Sequence, residues 1–252
     1  MKRLCTICAR GGSKGVPNKN VRYLLDKPLI AYSIVQAQKS GLFDQIAVSS
    51  DSEAILEIAA SYGIHQLVKR PALLANDEAA KIPAIQHCTS IIEQRTGYSF
   101  NTVVDLDVTA PLREVQDIAG AVALLEGSAV RNVVSGHPSR RSPYFNMVEL
   151  THNGAVQLVK PLDSPFIRRQ DAPVTYDLNA SIYVWQRDWL LSTATLFNEC
   201  TLLYVMPSER SIDIDTELDF QFVEYLHNSQ LFMKAGDSPQ ESQPFTKKRS
   251  ES

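Results

Sequence analysis

Apolar residues alternate between two rhythms along the chain. Short unbroken runs at residues 4–9, 45–51 ("QIAVSSD") and 101–107 ("NTVVDLD") end on small or acidic residues. Runs of that length read as buried strands. Between them, apolar residues recur every three or four positions. Pro28 suits a helix first turn, with Ile30, Ile34 and Ala37 on one face and Gly41 as the stop. Ile55, Ile58, Ala59 and Tyr62 form a second stripe before Gly63, and residues 82–93 and 115–125 read as further helices. Short strands are expected at 65–68 and 132–135. Strand and helix in turn predict an α/β fold: a mostly parallel, Rossmann-like sheet with helices on both faces.

The rhythm stops between residues 136 and 173. That stretch holds strand-like pieces around Asn153-Gly154, a strong hairpin signal, and no helix to cover a sheet face. It reads as a β-rich excursion with too little apolar cover to stand alone, so a second subunit is expected against it and the protein should be a homodimer. The α/β pattern resumes with strands at 180–186 and 201–207 and a helix at 216–231. The expected organisation is therefore a core of 1–135 continued by 174–233, the excursion 136–173, and a tail at 234–252. The tail is rich in Ser, Pro, Gln and charge and is expected to be disordered.

Composition narrows the function. The 252 residues carry a formal net charge of -3, which argues against a nucleic-acid or membrane-surface partner. No apolar run is long enough to span a bilayer. Cys5 and Cys8 form a CxxC, but their spacing on a strand sends them to opposite faces, and no second CxxC completes a zinc site. A reducing cytoplasm is the expected compartment. His65, His87, His137, His152 and His227 have no metal-ligand spacing.

Against this mildly acidic background, "ICARGGSKGVPNKN" follows the first strand and interleaves three glycines with Arg10, Lys14 and Lys19. In open α/β sheets ligands bind outside the carboxyl ends of the strands. Glycines there let backbone N–H groups approach an anion, and the cations add charge-assisted bonds to phosphate oxygens. The loop is neither a Walker A nor a GxGxxG motif. Ala9, Gly11, Gly12, Ser13 and Gly15 are thus candidate nucleotide-binding residues.

Two Asp-x-Asp pairs follow, Asp105/Asp107 and Asp213/Asp215. On extended backbone, residues i and i+2 project to one side, and two carboxylates so placed suit Mg²⁺. Asp105 lies within its strand and reads as partly structural. At the second pair, Asp215 or Thr216 suits equally the N-cap of the helix that follows.

The glycine loop resembles the signature of the cytidylyltransferases that activate sialic acid and related nonulosonic acids, and the resemblance spans roughly residues 3–230. It implies a cytidylyl transfer from CTP, with Mg²⁺ held by Asp213 and Asp215. It further implies that Arg10, Lys14 and Lys19 grip the triphosphate and that Asn20 and Arg70 lie on the nucleotide. The sugar is expected against Asp107, Thr109 and Asn179, and against Arg168, Arg169 and Gln170 of the excursion. In "LDVTAPLR", Asp107-Val108 replaces the Gln-Pro of the sialic-acid branch. That form, with "CTICARGGSKG", is similar to enzymes that activate legionaminic acid. A metal-dependent glycosyltransferase and a non-catalytic nucleotide sensor remain as alternatives.

Overall fold

The computed structural model describes residues 1–12, 15–76, 79–161 and 168–236. The apolar runs at the N-terminus become strand β1 (Arg3–Cys8), and a small ladder, β2 (Tyr23–Leu24) with β3 (Lys27–Pro28), leads into helix α1 (Leu29–Ser40). Then come β4 (Gln45–Ser50), α2 (Glu53–Ser61), β5 (Gln66–Lys69), α3 (Lys81–Thr96), β6 (Thr102–Leu106), α4 (Val115–Glu126) and β7 (Asn132–Pro138). The hairpin β8 (Val148–Leu150) and β9 (Val156–Leu158) follows. The chain returns through β10 (Tyr176–Gln186), α5 (Arg187–Ser192), β11 (Thr201–Val205) and α6 (Glu217–Gly236).

Seven strands form one sheet in the order β11-β7-β10-β6-β1-β4-β5. Every pairing is parallel except those of β10, which runs antiparallel to both β6 and β7. Alternation along the strands supplies two cores. Cys5, Ile7, Val104, Leu106 and Val184 face α1, α2, α4 and α6, whereas Leu4, Val103, Tyr183 and Trp185 face α3 and α5. Cys5 and Cys8 indeed point to opposite faces, and both are free thiols.

Three details depart from the sequence pattern. β10 starts at Tyr176, four residues early, because Tyr176 to Leu178 pair with the end of β7 before a register shift between Leu178 and Tyr183. Ala180, inside that irregularity, takes a left-handed φ of 44°. The six-residue α5 is too short to show a stripe. α6 continues to Gly236, since Lys234 and Ala235 are good helix formers. The tail from 237 lies outside the described residues.

The stretch after β7 forms the Asn153-Gly154 hairpin, with Gly154 at φ 81°. Val148, Leu150 and Val156 are exposed on it. No helix among the described residues is long and apolar enough to cross a membrane.

Candidate active site

At the carboxyl end of β1 the chain turns out of the sheet. Ala9 N–H donates to the Ser49 carbonyl at 3.0 Å, and Gly11 N–H donates to Asp51 Oδ1 at 2.9 Å. These two bonds fasten the start of the glycine loop to the end of β4. Ser13 and Lys14 lie outside the described residues. Gly15 packs directly on the other acidic segment: a Cβ there would stand 2.0 Å from the Asp215 carbonyl oxygen. Only glycine allows that approach. Gly12, by contrast, faces open space.

Lys19 reinforces the contact. Its ammonium donates to the Ile214 carbonyl and lies 3.5 Å from Asp215 Oδ1. Asn20, buried beside it, donates to the Arg10 carbonyl at 2.8 Å, so its amide shapes the loop from within. Arg10 in turn donates to the Asn76 carbonyl at 3.3 Å. Arg70 is buried after β5, where Nε reaches Ser49 Oγ at 3.2 Å and a terminal nitrogen reaches the Ser49 carbonyl at 2.7 Å.

The cleft they surround, of about 380 Å³, opens at the carboxyl ends of β1, β5 and β6. Of the residues expected from sequence, Ala9, Arg10, Gly15, Lys19, Asn20, Arg70, Asp107, Thr109 and Asp215 lie on its wall. Gly11 sits one layer behind, on Asp51 and Ser52.

The two acidic pairs differ in their surroundings. Asp105 is fully buried and accepts from Thr6 Oγ1 at 2.7 Å. Asp107 accepts from the Thr109 backbone and hydroxyl at 3.3 and 3.1 Å, and from Lys81. Burial pushes the Asp107 carboxyl up, but Lys81 and the Thr109 N–H more than offset it and hold the group below its ordinary range. Arg113, buried whole, donates to the Asp107 carbonyl, to Ser33 Oγ and, at 2.8 Å, to the Ser181 carbonyl. It therefore fixes the loop between β6 and α4 from beneath.

At the second pair, Asp213 Oδ1 is buried without a hydrogen-bond partner. Burial, foremost, lifts the Asp213 carboxyl to about 6, with nearby Thr109 opposing the shift and the charges of Asp107 and Asp215 adding to it. Asp215 is exposed to the cleft. The helix cap falls to Thr216: its N–H donates to Asp219 Oδ2 at 2.7 Å, and Asp219 N–H donates back to Thr216 Oγ1 at 3.3 Å. The Asp215 N–H also donates to Asp219 Oδ2 at 3.2 Å, so only the Asp215 carboxylate is left outside the cap. An orphaned buried carboxylate oxygen next to a second carboxylate fits a divalent cation, which would supply the missing partner. With two protein carboxylates, waters and substrate phosphates would complete the shell, the usual arrangement for Mg²⁺.

The remaining expected residues sit apart from the cleft wall. Asn179 is buried, with Oδ1 accepting from Ser135 Oγ at 2.7 Å and Nδ2 donating to Ser211 Oγ at 3.0 Å. It joins β10 to the segment that carries Asp213. Gln170 lines a separate hollow with Arg141 and Pro173, and Arg168 pairs with Asp171 at 2.9 Å. The Arg169 side chain lies outside the described residues. Sequence reasoning missed Lys81, which reaches the floor of the cleft. Its signal was weak: a lone cation at the start of a helix, far in sequence from the acids it meets.

A strand-end glycine loop thus converges with an acidic pair at the edge of a mostly parallel α/β sheet. The chain belongs to the cytidylyltransferase family, whose model matches residues 4–232. It is 46% identical over 223 residues to the CMP-N,N'-diacetyllegionaminic acid synthase of Campylobacter jejuni, covering 88% of this chain and 94% of that one. It is 45% identical, with the same coverage, to the post-translational flagellin modification protein B of Campylobacter coli. Among solved structures, a CMP:2-keto-3-deoxy-manno-octonic acid synthetase complexed with CTP shares the fold. The TM-score is 0.65 at 15% identity, over 91% of this chain and all of the other.

Proposed function

We propose that the protein transfers a cytidylyl group from CTP to the anomeric hydroxyl of a nine-carbon 2-keto sugar acid of the legionaminic type, releasing pyrophosphate. The observation that carries this reading is the packing of Gly15 on the Asp215 carbonyl. It brings a phosphate-type loop and an acidic pair to one point, as transfer at a phosphorus requires. The 46% identity to a CMP-N,N'-diacetyllegionaminic acid synthase supports the choice of base and sugar.

In this reading the base end of CTP lies towards buried Arg70, and the triphosphate lies along the loop with Arg10, Lys14 and Lys19 as its counter-charges. Asp213 and Asp215 hold Mg²⁺, which when bound neutralises phosphate charge and favours the ionised sugar hydroxyl. The chain's own part is positioning. Loop N–H groups and cations fix the leaving pyrophosphate, and the β6–α4 loop, held by Arg113, fixes the other wall. The sugar oxygen attacks the α-phosphorus in line as the bond to pyrophosphate breaks, with no protein-bound intermediate. Rate enhancement then comes from orientation and charge stabilisation.

The same reading makes the protein a cytoplasmic homodimer. Val148, Leu150 and Val156 on the hairpin, with nearby Val174, are exposed as a partner-facing surface would be. A Leu150→Glu/Val174→Asp variant should then run as a monomer in light scattering, and a wild-type monomer would remove the dimer.

The direct test of the chemistry incubates the purified protein with CTP, Mg²⁺ and N,N'-diacetyllegionaminic acid, with products identified by mass spectrometry. CMP-sugar and pyrophosphate in equal amounts support the transfer. Hydrolysis of CTP alone, or consumption of an added nucleotide sugar, would point instead to the sensor or the glycosyltransferase.

A further inference from the structure

The two acidic pairs are built alike in sequence, yet only the first closes both of its carboxylates on a single ammonium. At the first pair, Asp105 Oδ1 is taken by Thr6 and Asp107 Oδ1 by Thr109. The two Oδ2 atoms that remain both face Lys81 Nζ. Asp107 Oδ2 accepts a hydrogen bond from it, while Asp105 Oδ2 lies 3.1 Å away without hydrogen-bond alignment. The Tyr183 ring closes the ammonium from another side, with its centroid 4.3 Å from Nζ. Two carboxylate oxygens converging on one positive charge is the arrangement of a metal site with an ammonium in the metal's place.

Among the described residues, no single cation bridges the second pair in this way. Lys19 spends its closest bond on the Ile214 carbonyl and stands 3.5 Å from Asp215, and Asp213 Oδ1 has no hydrogen-bond partner among the described residues. We propose that Lys81 is the permanent cation of the Asp105/Asp107 pair, standing where a second divalent ion would sit. The cleft then works with one exchangeable metal, confined to Asp213 and Asp215. This rests on the reading that the second pair takes the metal. The gain for the reaction is a fixed charge that needs no filling from solution and cannot leave with pyrophosphate. Lys81 also lines the cleft, so the same ammonium positions the Asp107 wall that the substrates meet.

The test measures melting temperature in full-length protein carrying Asp215→Asn, which takes the second pair out of the comparison. Lys81 is kept, changed to Met, or changed to Met together with Asp107→Asn. Each protein is melted in chelator and in excess Mn²⁺ without nucleotide, because an ion that binds only the folded state raises the melting temperature. With Lys81 present, Mn²⁺ should change little. Lys81→Met should melt several degrees lower in chelator, because buried Asp105 and half-buried Asp107 lose their counter-ion, and Mn²⁺ should restore it. Lys81→Met/Asp107→Asn should regain stability in chelator and ignore Mn²⁺. If Lys81→Met cannot fold in chelator, folding on addition of Mn²⁺ is the supporting result. The proposal is overturned if Lys81→Met gains nothing from Mn²⁺ while the double variant folds, or if its Mn²⁺ response survives Asp107→Asn. Whether Asp213 and Asp215 bind metal is read separately, from the Mn²⁺ response of the wild type against Asp215→Asn alone.

Discussion

The Ile214 peptide N–H donates to the Thr109 carbonyl at 2.9 Å, so a single backbone bond ties the loop after one acidic pair to the middle of the other. Asp213 and Asp215 flank Ile214 and therefore inherit their position from the β6–α4 loop as well as from their own segment. Arg210 adds a second anchor, with a two-pronged pair to buried Asp117 at 2.8 and 2.9 Å. The acidic pair is thus held by packing rather than left on a free loop.

Asp213→Asn separates activity from stability. The carboxylate oxygen it alters is buried and unpartnered, so turnover should fall by at least about a hundredfold, the scale seen when a preorganised charge is removed. The fold should meanwhile gain about 1–2 kcal/mol at neutral pH, because a neutral amide no longer bears the desolvation that lifts the acid to about 6. Pyrophosphate release and urea melts of the same preparation check both halves.

The pH dependence has a definite sign. A carboxyl raised in the folded state binds its proton more tightly there than in the unfolded chain. Its stabilising contribution is therefore present at low pH and is lost as pH rises from the ordinary carboxylate range through about 6. Metal binding at Asp213 runs the opposite way, since the proton competes, and should weaken as pH falls through about 6. Titrations of Mn²⁺ binding at pH 5 and pH 7.5 should show it, and equal affinity at both would contradict the assignment of Asp213.

Gly15→Ala places a methyl group 2.0 Å from the Asp215 carbonyl oxygen, which is backbone and cannot swing aside. The loop and the acidic segment must separate. Activity should drop by about a hundredfold, the cost of misplacing reacting groups by an ångström, with the sheet intact by circular dichroism.

Arg113→Met leaves the Asp107 and Ser181 carbonyls and the Ser33 hydroxyl without their buried donor. A loss of about 3–5 kcal/mol is expected for breaking such a network, measured by denaturant unfolding. Lys at this position should rescue little, because one ammonium cannot span groups that a planar guanidinium reaches together.

How far the sequence foretold this can be seen residue by residue. β1, β4 and β6 were legible because each is a short apolar run closing on a polar turn, and α1 because Pro28 and Gly41 frame its stripe. The loop at Arg10 to Asn20 was legible as chemistry, since glycine and cation together at a strand end have few other uses. The antiparallel insertion of β10 between β6 and β7 was not, because strand order depends on contacts far apart in sequence, such as Gln186 with Thr102. Asn179 resembled a sugar contact, and the sequence did not foretell that its amide bonds Ser135 and Ser211, which lie 44 and 32 residues away. Lys81 escaped notice for the same reason: nothing local marks a helix-start lysine whose partners lie on another strand. Thr216 rather than Asp215 caps α6 because Asp219 sits three residues on, a capping box that was written in the sequence.

The central claim is that the glycine loop and the Asp213/Asp215 pair together activate a sugar acid with CTP. The most direct measurement is pyrophosphate release from CTP and Mg²⁺ across sialic, legionaminic and pseudaminic acids and 3-deoxy-manno-octulosonate. Release is expected with the legionaminic acid at a kcat/KM well above the others, abolished by Asp213→Asn. Silence across all four acids from folded, Mg²⁺-supplied protein would contradict it.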